Sequence, residues 1–387
     1  MGWIITILLF YIILPGIANY RVFQKAGKQG WESFVPFYND FTWLTILDKP
    51  RWWIIFSFIP GLSYLLTVIL AVETYKAFGK FQFWQHVLAF IPVVNFVYLF
   101  YLGISKEERF HGADYGRTNY QRTAAREWAD AILFAIVAAT VIRSFFIEAY
   151  TIPTPSMEET LLVDDYLFVS KLNFGPRVPI TPISFPLAHN TMPVTGGKSY
   201  LEWPTIPYFR LPGWEKIKNN DIVVFNWPAE ELGRPIDKKD NYIKRCIAIS
   251  GDSIRIINRQ VYINGKKSEY PKFSQVIYKV EMDGNSFMPR SKMKELGIHP
   301  DEVQIGGRDE ATGRTLYGIN MTEYAAMEMK KISGVKSVEP LVEPAGSFQS
   351  DIFHHYASLP WNLDNFGPLY VPKAGATIPM NLKNYYL

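Results

Sequence analysis

A serine set between prolines and acidic residues is the first candidate for chemistry. Ser156 lies in TIPTPSMEETLLVDD, residues 151–165. Two readings of it are open. With Glu159 three residues on, it has the form of a helix capping box, entered through an extended segment that Pro153 and Pro155 favour. Alternatively its hydroxyl is a nucleophile, and a nucleophilic serine needs a base within reach. The base candidate stands in NYIKRCIAISGDSI, residues 241–254. Lys244 lies there in a strand-like run, where a lysine ordinarily points to water. Alternation puts Tyr242, Lys244 and Cys246 on one face. If that face is the inner one, burial disfavours the ammonium form and lowers the lysine pKa. A neutral amine can then take the proton of a serine hydroxyl.

Other chemistries are poorly supplied. There is no G-x-S-x-G elbow. The 6 histidines are scattered, none forms H-E-x-x-H, and His354-His355 reads as an exposed loop pair. Carboxylates are too dispersed to single out a pair. Cys246 is the only cysteine, which excludes an internal disulfide and a cysteine-based zinc site. It is expected to fill a buried strand position as a small apolar residue. The net charge of +4 is too mild for nucleic acid, and no basic stripe interleaved with aromatics occurs. No cofactor and no metal are expected.

The elements that must position Ser156 and Lys244 divide in two. The composition is 48% hydrophobic and 16% aromatic, and the long apolar runs lie in the first 150 residues. Crossing a bilayer takes ~20 mostly apolar residues. Four stretches qualify: Trp3–Ala18, Trp52–Val72 with its Pro60-Gly61 break, Phe83–Ile104 and Trp128–Phe146. Positive charge concentrates at 19–51 and 105–127, which places those segments on the cytoplasmic side. Everything after about Glu148 then lies outside, and Arg143 near the outer end of the fourth span can reach the headgroups. Ser156 falls roughly ten residues past the membrane exit.

Beyond residue 150 the pattern is strand-like. Strands are expected over Asp165–Leu172, Asp221–Trp227, Asn241–Ile249 and Ser253–Ile257, with QVYINGK, residues 260–266, running into an Asn264-Gly265 hairpin turn. Residues 173–215 read as an irregular, ordered excursion. Residues 271–345 read as an inserted α/β piece, with strands at Ser274–Met282 and Val335–Val342 and helices at Arg290–Leu296 and Met321–Lys330. The fold class is therefore membrane helices followed by a mainly β exported catalytic domain with an α/β insertion. The expected domains are a membrane region at 1–126 and a fourth transmembrane helix at 127–149. A catalytic β core follows at 150–270, then the inserted subdomain at 271–345 and the start of a return to the β domain at 346–387.

Taken in order, the outward span, IPTPSMEETLLVDDYLFVSK, NNDIVVFNWP, YIKRCIAISGDSI and VYINGK resemble the type I signal peptidases. These are membrane-bound Ser/Lys proteases that remove signal peptides from exported proteins. The resemblance implies a signal-peptidase-like β fold, with Ser156 as nucleophile and Lys244 as general base. It implies that Thr154 and the Ser156 N–H bind the oxyanion, and that Gly251-Asp252 is a structural turn. It implies a substrate groove lined by Tyr150, Ile152, Pro153, Met157, Leu161, Tyr242 and Ile243. Their bulk leaves shallow pockets for small residues at positions −1 and −3 of the cleaved peptide, which could bind as an added strand. The position before the nucleophile, often glycine in the family, is Pro155. The implied partners are signal peptides of exported preproteins, the lipid bilayer and the protein export machinery. The implied location is the inner (plasma) membrane, multi-pass, with the catalytic domain outside the cytoplasm. The family's last box, close to GDNRDNSxDSR, is not found, so the chain is expected to be the front part of a longer protein. A non-catalytic, membrane-tethered peptide-binding relative is the alternative. A transporter fragment is disfavoured, since the spans hold no paired buried charges.

Overall fold

The computed structural model describes residues 12–59, 61–119, 123–284, 289–353, 359–381 and 384. The chain forms two compact units: residues 1–148 with 170–212, and residues 149–169 with 213–387.

The first unit is helical. Helices Leu14–Lys25, Tyr38–Ile46, Leu62–Ala77, Phe83–Leu88, Pro92–Ile104 and Ala124–Phe145 carry most of it. Their shared core includes Phe23, Leu44, Leu70, Tyr75, Leu99 and Leu102. Only Ala124–Phe145, at 22 residues, is long and apolar enough to cross a membrane among the described residues. The first expected span lies largely outside the described residues. The second is split into a 3-10 helix, Arg51–Phe58, and the helix Leu62–Ala77. Gly61, at φ +82°, makes that break; its left-handed backbone cannot continue a helix. The third is split before Pro92, which opens its helix at the position where a missing N–H costs nothing. Arg143, near the C-terminal end of Ala124–Phe145, is ion-paired. Its Nε donates to Glu148 Oε1 at 2.7 Å, and Lys171 holds the other oxygen at 2.6 Å. Residues 173–215 contain only isolated bridges, such as Arg177 with Arg210 and Thr191 with Lys198.

Strands β1 (Ile147–Thr151) and β2 (Tyr166–Ser170) pair as a two-stranded ribbon. Three further sheets follow among the described residues of the second unit. Strands β3 (Ile222–Asn226) and β4 (Asn241–Arg245) pair antiparallel, with Val223 opposite Lys244. Strands β5 (Ser253–Ile257), β6 (Gln260–Ile263) and β7 (Lys266–Lys267) form a four-stranded sheet with β12 (Phe366–Tyr370), which joins at β5. The β6–β7 turn is Asn264-Gly265, both left-handed at φ +53° and +78°, the geometry that tight hairpins favour.

Strands β8 (Val276–Met282), β9 (Val303–Arg308), β10 (Thr315–Met321) and β11 (Val335–Pro340) form the other four-stranded sheet, in the order β11-β8-β10-β9. Helices Arg290–Glu295 and Glu323–Met329 accompany it. This piece has a core of its own, in which Val280, Met282, Ile319, Met321 and Met329 are buried. Cys246 sits one residue past β4 and is only half-buried, so it is not the core residue expected of it.

Candidate active site

Strand β1 delivers the nucleophile candidate. Ile152, just after it, is 3% exposed and anchors the segment. Its N–H donates to Asp165 O at 3.0 Å, and its carbonyl accepts from Asp164 N at 2.9 Å. These bonds close the neck of a loop that carries Thr154 to Leu161. At its tip Pro155–Met157 forms a 3-10 turn, closed by Glu158 N donating to Pro155 O at 2.8 Å. Pro155 opens that turn, where its fixed φ suits the geometry and its missing N–H is not required. Met157 turns inward and is buried, so Ser156 is left exposed. No Ser156–Glu159 capping box forms: Thr154 holds the cap position of the turn, and Glu159 is left-handed at φ +63°.

Strand β4 brings up the base candidate. Lys244 Nζ donates to Ser156 Oγ at 2.5 Å, across 88 residues of sequence. The orientation of β4 decides a question that alternation leaves open. The face shared by Tyr242 and Lys244 is the open one, and Ile243 and Arg245 are the half-buried residues. The Lys244 pKa is nevertheless below the ordinary lysine value, because its amine loses part of its solvation. Its Nζ lies 5.8 Å from the centre of the Tyr242 ring. The Trp227 ring also lies against Tyr242, 5.2 Å from its ring and tilted by 58°.

The remaining sequence candidates fall in several settings. Thr154 Oγ1 lies 3.5 Å from Ser156 Oγ. Ile152 and Met157 are buried; Leu161 and Ile243 are half-buried; Pro153 is exposed and Tyr150 half-buried, in β1. Gly251 is left-handed at φ +99°. Asp252 follows it and accepts from Ile249 N at 2.9 Å, Asn219 Nδ2 at 2.9 Å and Asn264 Nδ2 at 2.8 Å. The bond from Asn219, with those from Ile249 N and Asn264, holds the Asp252 carboxyl below its usual pKa. The turn is tied to β12's continuation by Gly251 N donating to Val371 O and Val371 N donating to Asp252 O, both at 2.8 Å.

Two features escaped the sequence reading. Trp227 was inside the NNDIVVFNWP run but nothing in its spacing marked it as the support of Tyr242. Arg245 donates to Asn220 O at 3.0 Å and to Thr160 Oγ1 at 3.3 Å, linking β4 to the nucleophile loop from the opposite face to Lys244. Alternation from Lys244 could have found it. Among the described residues, no group of His, Cys, Asp and Glu could hold a metal ion.

Comparison with known proteins bears on the same stretch. Residues 125–311 match the family described as signal peptidase, peptidase S26. Residues 31–113 match a family of unknown function (DUF5684). The chain is 33% identical over 156 residues to "Signal peptidase I" of Rickettsia massiliae (strain Mtu5), covering 40% of this chain and 49% of the relative. The figures for that of Rickettsia felis (strain ATCC VR-1525 / URRWXCal2) are the same. For that of Rickettsia bellii (strain OSU 85-389) they are 30% over 152 residues, 39% of this chain and 44% of the relative. The chain thus spans about half the length of the curated relatives it matches. No solved structure matches. The segment from the apolar helix through the strands around Ser156 and Lys244 resembles the type I signal peptidases.

Proposed function

We propose, from the likeness of residues 125–311 to the type I signal peptidases, that this chain is a membrane-bound endopeptidase that cleaves signal peptides from exported preproteins with a Ser/Lys dyad. The observation that carries the reading is the 2.5 Å contact between Lys244 Nζ and Ser156 Oγ. A serine hydroxyl is a weak nucleophile unless a base removes its proton as it attacks. Lys244 in its neutral form accepts that proton, and partial desolvation favours the neutral form. The Ser156 oxygen bonds to the carbonyl carbon of the scissile peptide. The Thr154 hydroxyl and the Ser156 N–H donate to the oxyanion that forms. Collapse breaks the C–N bond, and the proton held by Lys244 passes to the leaving nitrogen. Water, deprotonated by the again neutral Lys244, then releases the acyl group and restores Ser156.

In this reading Tyr150, Ile152, Pro153, Met157, Leu161, Tyr242 and Ile243 line the groove for the signal peptide. The first unit holds several membrane spans, Ala124–Phe145 leads outward, and residues 271–345 are an insertion in the catalytic domain. Ser156→Ala and Lys244→Ala should each abolish processing of a preprotein by the membrane-inserted protein. An acylating serine probe should label the unsubstituted protein at Ser156 and neither variant. Labelling that persists in Lys244→Ala at the original rate removes the dyad.

A further inference from the structure

The second unit contains a cavity of about 270 Å³, and Ser156 forms part of its wall. Met157 and Glu158 come to it from the same turn, Arg245 from β4, and Tyr270 and Phe273 from the segment that enters the α/β piece. Of the residues assigned to the signal-peptide groove, Met157 alone is shared; the other groove residues do not line the cavity. The cause is the pleat of β4. Successive side chains of a strand point to opposite faces. Lys244 therefore meets Ser156 on one face, and Arg245 bonds Asn220 and Thr160 on the other. The nucleophile stands between a groove and a cavity.

A peptide cut at Ser156 must run on past the oxygen on both sides of its scissile bond. With the residues before the bond in the groove, those after it need a separate place. We propose that this cavity is the leaving-side subsite, receiving the first residues of the mature chain, positions +1 and +2; the inference rests on the peptidase reading above. Its lining suits a short extended polypeptide. Tyr270 and Phe273 offer apolar cover. Ser268, Ser274, Gln275 and Asn320 add polar groups able to bond an extended backbone. Arg245 is already engaged with Asn220 and Thr160, so it shapes the cavity more than it recruits a carboxylate. The α/β piece thereby contributes a wall of the site, since Gln275 and Asn320 also face the cavity.

Photocrosslinking tests this without turnover. The full-length, membrane-inserted Ser156→Ala protein is mixed with preproteins carrying a benzophenone side chain at +2 or at −3, and adducts are mapped by mass spectrometry. Position +2 should crosslink to residues 268–275, and position −3 to the groove around Tyr150 and Tyr242. Ser274→Trp, which adds bulk at the cavity wall, should lower the +2 yield about tenfold, the factor that 1.4 kcal/mol of lost binding gives, with the −3 yield unchanged. Adducts from −3 in the groove with +2 adducts outside the cavity overturn the inference alone, as does a +2 yield indifferent to Ser274→Trp. No adduct on the catalytic unit from either position overturns the peptidase reading beneath it.

Discussion

Lys244 can act as a base only in the fraction of molecules where it is neutral, so the dyad has a pH signature. Its pKa is lowered from 10.5 by desolvation. The active form is the deprotonated one, so activity should rise with pH and level off below the pH at which a free lysine titrates. A rate–pH profile of preprotein cleavage that falls across that range removes Lys244 from the role. Lys244→Arg should be inactive at every pH, because a guanidinium keeps its proton. Thr154→Val removes the hydroxyl 3.5 Å from Ser156 Oγ at nearly constant shape. It should lower kcat by roughly 10²–10³, with Thr154→Ser retaining most activity; wild-type single-turnover rates in Thr154→Val would take Thr154 out of the oxyanion site. At this scale the sequence was informative about which residues meet, since Ser156 and Lys244 are in contact. It was silent on which face of β4 turns outward. Alternation defines two faces, and only packing against neighbours decides between them. That is why the face of Lys244 is conditional in the sequence and is seen to be the open one, beside Tyr242 and Trp227.

The elements around the site differ in how openly their residues declare them. The Asn264-Gly265 turn was legible because two left-handed residues in a hairpin demand those types. Strand β10 was not, although Tyr317, Ile319 and Met321 are buried at period 2. Thr315, Gly318 and Asn320 interrupt its apolar character, and the helical pattern of the following residues claimed Met321. Strand β9 contains Gly306 and Gly307, which weaken strand propensity. The α/β piece nevertheless has a real core. Ile319→Ala removes a fully buried side chain and should cost about 2–5 kcal/mol, read as a lower denaturation midpoint. Tyr317→Phe is the contrasting case. The Tyr317 hydroxyl is buried with no hydrogen-bond partner among the described residues, so deleting it should leave the midpoint unchanged or raised by an amount equivalent to about 1–3 kcal/mol. A clear loss in Tyr317→Phe would mean that the hydroxyl is satisfied in solution. Among the helices, Gly61 and Pro92 explain why apolar runs long enough for a bilayer appear as shorter helices; periodicity registers apolar length, while these residues decide where the backbone bends.

At the scale of the whole molecule the proposed orientation is open to a direct test. In a Cys246→Ser background, Lys106→Cys should be shielded from an impermeant thiol reagent in intact cells, and Lys267→Cys should react. The reverse pattern would put Ser156 in the cytoplasm. The division of the chain has its own consequence. The unit that contains both Ser156 and Lys244 is assembled from residues 149–169 and 213–387, with 170–212 belonging to the other. Ser156 therefore leaves the ribosome well before Lys244. The gap is 88 residues, roughly 4–18 s at a synthesis rate of about 5–20 residues per second. Through that interval Ser156 has no Lys244 to meet, on a loop that follows the apolar helix Ala124–Phe145. Contacts distant in sequence also slow folding, since loop closure must precede them. In the proposed peptidase, competence therefore waits on the synthesis of Lys244, a delay set by the order of residues within one chain.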